Sequence, residues 1–202
     1  MFVSISVNTV ITPFYMQGVL NTPIGIAGMY MSISPAIVFL ITLICGYIND
    51  RIGGEKLSII GQVCTCAGLF QMTILAKGSS VITLVLFICI VNFGSSLFQA
   101  PNYAFIMSNI PPEKFGIGGS VNMGVRHIGL SLSIALSTSI LYGGISKVLG
   151  YRVTGYERER GMEDAFMSRM RNTYILLAVL CAISIAISIL MVITKNKQKR
   201  FN

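Results

Sequence analysis

The sequence predicts an all-α integral membrane protein with six transmembrane helices, and three observations carry that expectation. Only 11% of the 202 residues are charged, against about 25% in ordinary soluble domains. The first 49 residues contain no Asp, Glu, Lys, Arg or His, a run long enough for two spans of about 20 residues each and a turn between them. Six apolar segments of about spanning length or more follow one another, with Gly, Pro and Ser at the joints. Backbone groups in lipid must be satisfied within each segment, so runs of this length read as helices rather than as shorter, alternating barrel strands.

The first segment runs from Phe2 to Leu20, and Asn21-Thr22-Pro23 supplies the turn after it. The second, Gly25 to Tyr47, ends at the first charged stretch of the chain, Gly46 to Lys56. The third and fourth run from Leu57 to Ala76 and from Val81 to Asn109, the fifth from Phe115 to Leu141 and the sixth from Thr173 to Thr194. Segments four and five exceed one bilayer thickness and are expected to tilt or protrude, with Pro101 bending the fourth. Residues 143–172 read as an extracytoplasmic loop in which Glu157 to Arg160 forms a solvated face or short amphipathic helix. Residues 195–202 read as a basic tail.

Six spans place both chain ends on one side. The Lys and Arg residues of the loops divide evenly between the two sides, but Lys195, Lys197, Lys199 and Arg200 abut their span without an intervening acid. That cluster puts the carboxyl terminus in the cytoplasm. Met1-Phe2-Val3-Ser4 lacks the basic start of a secretory signal, so the chain is expected to open inside a span.

Several function classes are disfavoured. The net charge of +8 lies in loops and tail without an aromatic-interleaved basic surface, which argues for anionic lipid and against nucleic acid. Cys45, Cys64, Cys66, Cys89 and Cys181 all fall in apolar runs and read as small hydrophobes, so no metal or other cofactor is expected. With a single histidine, His127, and its acids in loops, the chain offers no catalytic arrangement of an enzyme.

Polar residues inside a span face a bundle interior or a cavity. At about 100° per residue, Ser4, Asn8, Thr12 and Tyr15 share an arc of roughly 80° on the first helix. Asn92, Ser96, Gln99 and Tyr103 repeat the pattern on the fourth, and Gly119, Asn122, Arg126, Gly129, Ser133 and Ser137 on the fifth. Helices one, four and five therefore read as cavity walls and helix six, with only Ser184 and Ser188 among aliphatics, as a lipid-facing buttress. Small residues and hydroxyls also join helices directly, and this is the favoured reading for Gly129, Ser133 and Ser137. Arg126 either faces the cavity or snorkels from a helix end, and His127 reads as a packed or interfacial residue rather than a proton relay.

The stretch Gly46-Tyr47-Ile48-Asn49-Asp50-Arg51-Ile52-Gly53-Gly54-Glu55-Lys56 resembles the loop signature of the major facilitator superfamily. Its chemistry is that of a stiff turn. Gly46 permits close helix approach, Gly53 and Gly54 permit positive backbone angles, Asp50 suits the amino end of a neighbouring helix, and Arg51 suits lipid headgroups. A second stretch, Leu97 to Leu136, is similar to the late helices of fourteen-span drug:proton antiporters of the EmrB/QacA type. It carries Gln99, Pro101 and Asn102, then Pro111 to Lys114, then Asn122, Arg126 and Gly129 in that order.

The resemblance implies one half of a major facilitator fold, the carboxyl-terminal six helices, partnered by an amino-terminal half outside this chain. It implies export of small amphiphilic substrates against entering protons by alternating access. Asn8, Thr12, Tyr15, Asn92, Gln99, Tyr103, Asn122 and Arg126 are then the cavity residues, and Gly46, Asp50, Arg51 and Gly53 the conformational clasp. Two alternatives stand beside it: a non-transporting membrane fragment of such a carrier, and an exporter of one specific metabolite. Gly54 and Glu55 stand where the family signature prefers basic residues, and no Asp or Glu lies inside the six apolar segments. A coupling carboxylate is therefore expected in the other half, unless Arg126 and His127 modulate the site.

Overall fold

A computed structural model describes residues 1–76, 78–149 and 162–201, apart from the side chains of Ser4, Ile5, Asp50 and several residues near the ends of the last two helices. Apart from short connections, the described chain is helical. Helix α1 (Phe2–Phe14) widens into a π turn over Tyr15–Val19. Helix α2 spans Ile24–Ile52, α3 Gly54–Met72 and α4 Val81–Ser108; a short turn at Pro112–Lys114 leads into α5 (Phe115–Leu149), and α6 covers Met162–Phe201.

Among the described residues, three stretches are long and apolar enough to cross a membrane: Ile24–Asn49, Val81–Ser108 and Phe166–Thr194. Helix α1 counts 13 residues before its π turn. Gln62 and Gln71 in α3, with Glu55 and Lys56 in its first turn, and Arg126 and His127 in α5 dilute the hydropathy of those two helices.

The connections follow local chemistry. After the π turn, Asn21 takes a positive φ of 52°, which Asn tolerates better than most residues. Between α2 and α3 the chain reverses on one residue, Gly53, with φ 87°. Gly54, by contrast, already belongs to α3, and a Cβ there would meet Asn49 Oδ1 at 2.9 Å. Gly46 is corrected more firmly: it is exposed and a Cβ would meet nothing within 4 Å, so among the described residues no helix approaches there. Gly46→Ala is accordingly expected to leave thermal stability in detergent unchanged, whereas Gly53→Val, forced into a positive φ, should cost about 1–2 kcal/mol and lower the melting temperature.

Helices α3 and α4 approach most closely. A Cβ on Gly61 would lie 2.5 Å from Phe98 N, and one on Gly68 would lie 2.6 Å from Val91 Cγ2. A Cβ on Gly94 would collide with Thr65 N. Small residues at four- and three-residue spacing on α3 (Gly61, Thr65, Gly68) thus let two backbones touch, the usual basis of helix association in lipid. Helix α6 joins α3 through Gln62 Nε2, which donates to Ser188 Oγ at 2.9 Å. Helix α5 joins α1 through Ser133 Oγ, which donates to Val3 O at 2.6 Å, and through Gly129, where a Cβ would lie 3.1 Å from Phe2 Cβ.

The main core gathers where α1 ends, α3 turns toward α4 and α6 begins; Ile11, Met16, Leu69, Met72, Leu84, Phe166, Met170 and Tyr174 are buried in it. Two expectations change here. Residues 143–149 continue α5, and residues 162–172 belong to α6, where Phe166 and Met170 extend its buried line by one turn each, rather than to a loop. Helix α6 runs on into the basic tail through Phe201. Helix α6 is lipid-like only on its outer face, where Val179, Ile183, Ile187 and Leu190 are exposed; Tyr174, Leu177 and Cys181 face inward. The stretch Glu157 to Arg160 lies outside the described residues.

Candidate functional site

Polar residues of α1, α2, α4 and α5 converge on a hollow of about 380 Å³, within the range of small-molecule sites. Asn8, Thr9 and Thr12 come from α1, Tyr30 and Ser34 from α2, Asn92 from α4 and Arg126 from α5. A second hollow of about 310 Å³ carries Ser96, Gln99, Asn102 and Tyr103 from α4, Asn122 from α5, and again Arg126. Arg126 borders both, its guanidinium 5.7 Å from the centroid of the Phe2 ring. No carboxylate lines either hollow among the described residues.

Helical spacing explains the convergence. Asn8 and Thr12 are one turn apart on α1, and Gln99 and Tyr103 one turn apart on α4. Asn92 is pinned across helices by donating from Nδ2 to Ser34 Oγ at 2.6 Å. Asn8 is held from the opposite side: the hydroxyl of buried Tyr174 on α6 donates to Asn8 Oδ1 at 2.8 Å. Asn8 Nδ2 is buried without a hydrogen bond, while Thr12 lies beside the Tyr174 hydroxyl. Such an orphaned group costs about 1–3 kcal/mol, a cost that persists where a site is shaped for something that arrives later.

Seven of the eight residues expected at a cavity, Asn8, Thr12, Asn92, Gln99, Tyr103, Asn122 and Arg126, border these two hollows. Tyr15 does not. It is buried in the π turn and its hydroxyl donates to Ala76 O at 2.8 Å, tying the π turn to the connection between α3 and α4. The α1 stripe therefore breaks where the helix widens, because a π turn rotates later residues off the 100° spacing. Gly129, Ser133 and Ser137 lie in the α1–α5 seam, and His127 is exposed.

Two contributions were missed from sequence. Helix α2 supplies Tyr30 and Ser34, one turn apart, a short signal masked by the aliphatics around it. Tyr174 stood at the start of an apolar run and had no polar neighbour at helical spacing within it. At the α2–α3 turn, a further hollow of about 430 Å³ is bordered by Asn49, Gly53, Lys56, Pro101 and Ser108. Arg51 there stacks over Tyr47 with its guanidinium carbon 4.5 Å from the ring centroid; the side chain of Asp50 lies outside the described residues.

Apolar helices that enclose a polar crevice and expose aliphatics outward define a polytopic helical membrane protein. The whole chain, residues 1–202, matches the Major Facilitator Superfamily and belongs to it. Its relatives in that family are transporters, not enzymes. The chain is 26% identical over 177 residues to the riboflavin transporter RibZ of Clostridioides difficile, covering 88% of this chain and 37% of that protein. It is 29% identical over 130 residues to the uncharacterized transporter YebQ of Escherichia coli, covering 64% of this chain and 28% of that protein. To the lincomycin resistance protein LmrB of Listeria monocytogenes it is 21% identical over 143 residues, covering 71% and 30% respectively. The chain thus spans between about a quarter and two-fifths of the length of these curated relatives.

Proposed function

We propose that this chain is the carboxyl-terminal six-helix half of a major facilitator exporter that moves amphiphilic molecules, drugs among them, across the plasma membrane in exchange for protons. The observation that carries this reading is the meeting of two polar hollows from four helices at one arginine, Arg126. In this reading α1, α3 and α5 span the bilayer with the three more apolar helices, and the basic tail lies in the cytoplasm against anionic lipid. A second helical half of the EmrB/QacA type completes the path and supplies the carboxylate for proton coupling, since the described residues of both hollows include none. The α2–α3 turn around Asp50, Arg51 and Gly53 serves as the clasp that latches one conformation.

Export of one specific metabolite is the second reading, and the similarity to a riboflavin transporter over most of the chain favours it. The similarity to a lincomycin resistance protein supports the broader one. Accumulation of amphiphilic dyes and of riboflavin, in cells with and without the complete carrier and a protonophore, separates them. Export of several dyes that collapses with the proton gradient supports the first reading; movement of riboflavin alone supports the second, and movement of nothing overturns both.

A further inference from the structure

The charge and hydrogen-bond inventory of the crevice bears on which head group it admits. Its described lining holds one formal charge, the guanidinium of Arg126, which has donors and no acceptor. On the first-hollow side the nearest amides and hydroxyls are already partly committed. Asn8 Oδ1 accepts from Tyr174 and Ser34 Oγ accepts from Asn92 Nδ2. What remains unmatched is Asn8 Nδ2, a donor on a residue that borders the hollow, whereas Thr12 lies beside the Tyr174 hydroxyl. Tyr174 is itself 1% exposed and belongs to the core, so its hydroxyl has a fixed position from which to hold the Asn8 carbonyl.

Resting on the transporter reading above, we infer that the crevice selects amphiphiles whose polar head carries oxygen acceptors, an anion or ring carbonyls, and disfavours cationic ones. Arg126 anchors that head, and Tyr174 is a positioning residue that turns the donor end of Asn8 toward it. The physical basis is simple. A cation brought beside the Arg126 guanidinium, which no carboxylate of the described lining faces, meets like-charge repulsion in a medium that screens it poorly. An oxygen anion instead gains charge-assisted hydrogen bonds and supplies an acceptor for the unmatched Asn8 amide on α1. Without Tyr174's hydroxyl, the Asn8 amide is free to reverse and present its carbonyl, which an acceptor-bearing head cannot use.

The test compares fluorescein with rhodamine 6G, which share a ring skeleton and differ in charge, and adds uncharged Nile red. Binding to the purified complete carrier in nanodiscs is followed by fluorescence anisotropy, so that the readout does not require transport. Fluorescein is expected to bind at least tenfold more tightly than rhodamine 6G. Tyr174→Phe should weaken fluorescein binding by about tenfold while leaving Nile red binding unchanged. Equal or tighter binding of rhodamine 6G overturns the selectivity, and Tyr174→Phe that weakens all three dyes alike, or none, overturns the positioning role. Fluorescein that binds selectively and is not moved in proteoliposomes leaves this inference standing and removes the export reading, so the two fail separately.

Discussion

Arg126→Ala is expected to lower substrate export by the complete carrier at least tenfold while its amount in the membrane stays near the parental level. The residue borders both hollows, so its loss deletes the charge at their junction. Removing a charge-assisted hydrogen bond to a bound head costs about 1.5–3 kcal/mol, which corresponds to roughly tenfold to a hundredfold in affinity. Insertion should not suffer, because a charge at mid-membrane depth opposes insertion by about 2.5–3.5 kcal/mol. The α1–α5 seam rests on Gly129 and Ser133 rather than on this side chain. Initial rates in proteoliposomes, normalised to reconstituted protein, check the expectation, with Arg126→Lys expected to fall between parent and Ala. Undiminished export by Arg126→Ala would remove the residue from the site.

Gly94→Leu is expected to do the opposite, abolishing folded protein rather than function alone. A Cβ at this position already collides with Thr65 N and would lie 2.7 Å from Gly61 O. The clash is with backbone, so no rotamer relieves it and α3 and α4 must separate. Overpacking of this kind costs about 1–3 kcal/mol where side chains can yield and more where they cannot. Separation of the pair also opens the adjoining α3–α6 contact at Gln62 and Ser188. Size-exclusion chromatography of the detergent extract should show aggregated or absent protein. A monodisperse peak at parental yield would mean that this seam does not hold the bundle together.

Much of this architecture was legible because lipid imposes a strong code. Length and apolarity alone mark α2, α4 and α6, and polar spacing of one turn identifies Asn8 with Thr12 and Gln99 with Tyr103. The code fails where helices depart from regular geometry or where partners come from afar. Tyr15 has the right spacing for the cavity, yet the π turn carries it to Ala76. Gly46 has the right residue type for close approach, yet among the described residues no neighbouring helix comes near it. Tyr174 reaches Asn8 across 166 positions of sequence, a pairing no local pattern announces. The α3–α4 seam, by contrast, was readable in the spacing of Gly61, Thr65 and Gly68 and was overlooked because none of them is polar enough to stand out as a cavity residue.

The central claim is that Asn8, Gln99 and Asn122 face one wet crevice shared at Arg126. Single cysteines at these positions, in a complete carrier whose native cysteines have been replaced, can be titrated in membranes with a charged, membrane-impermeant thiol reagent. All three should react, and a transported dye should slow the reaction at each, while cysteines at exposed Ile128 and Leu132 on the outer face of α5 stay unreactive. Reaction at Ile128 and Leu132 with silence at Asn8, Gln99 and Asn122 would contradict it.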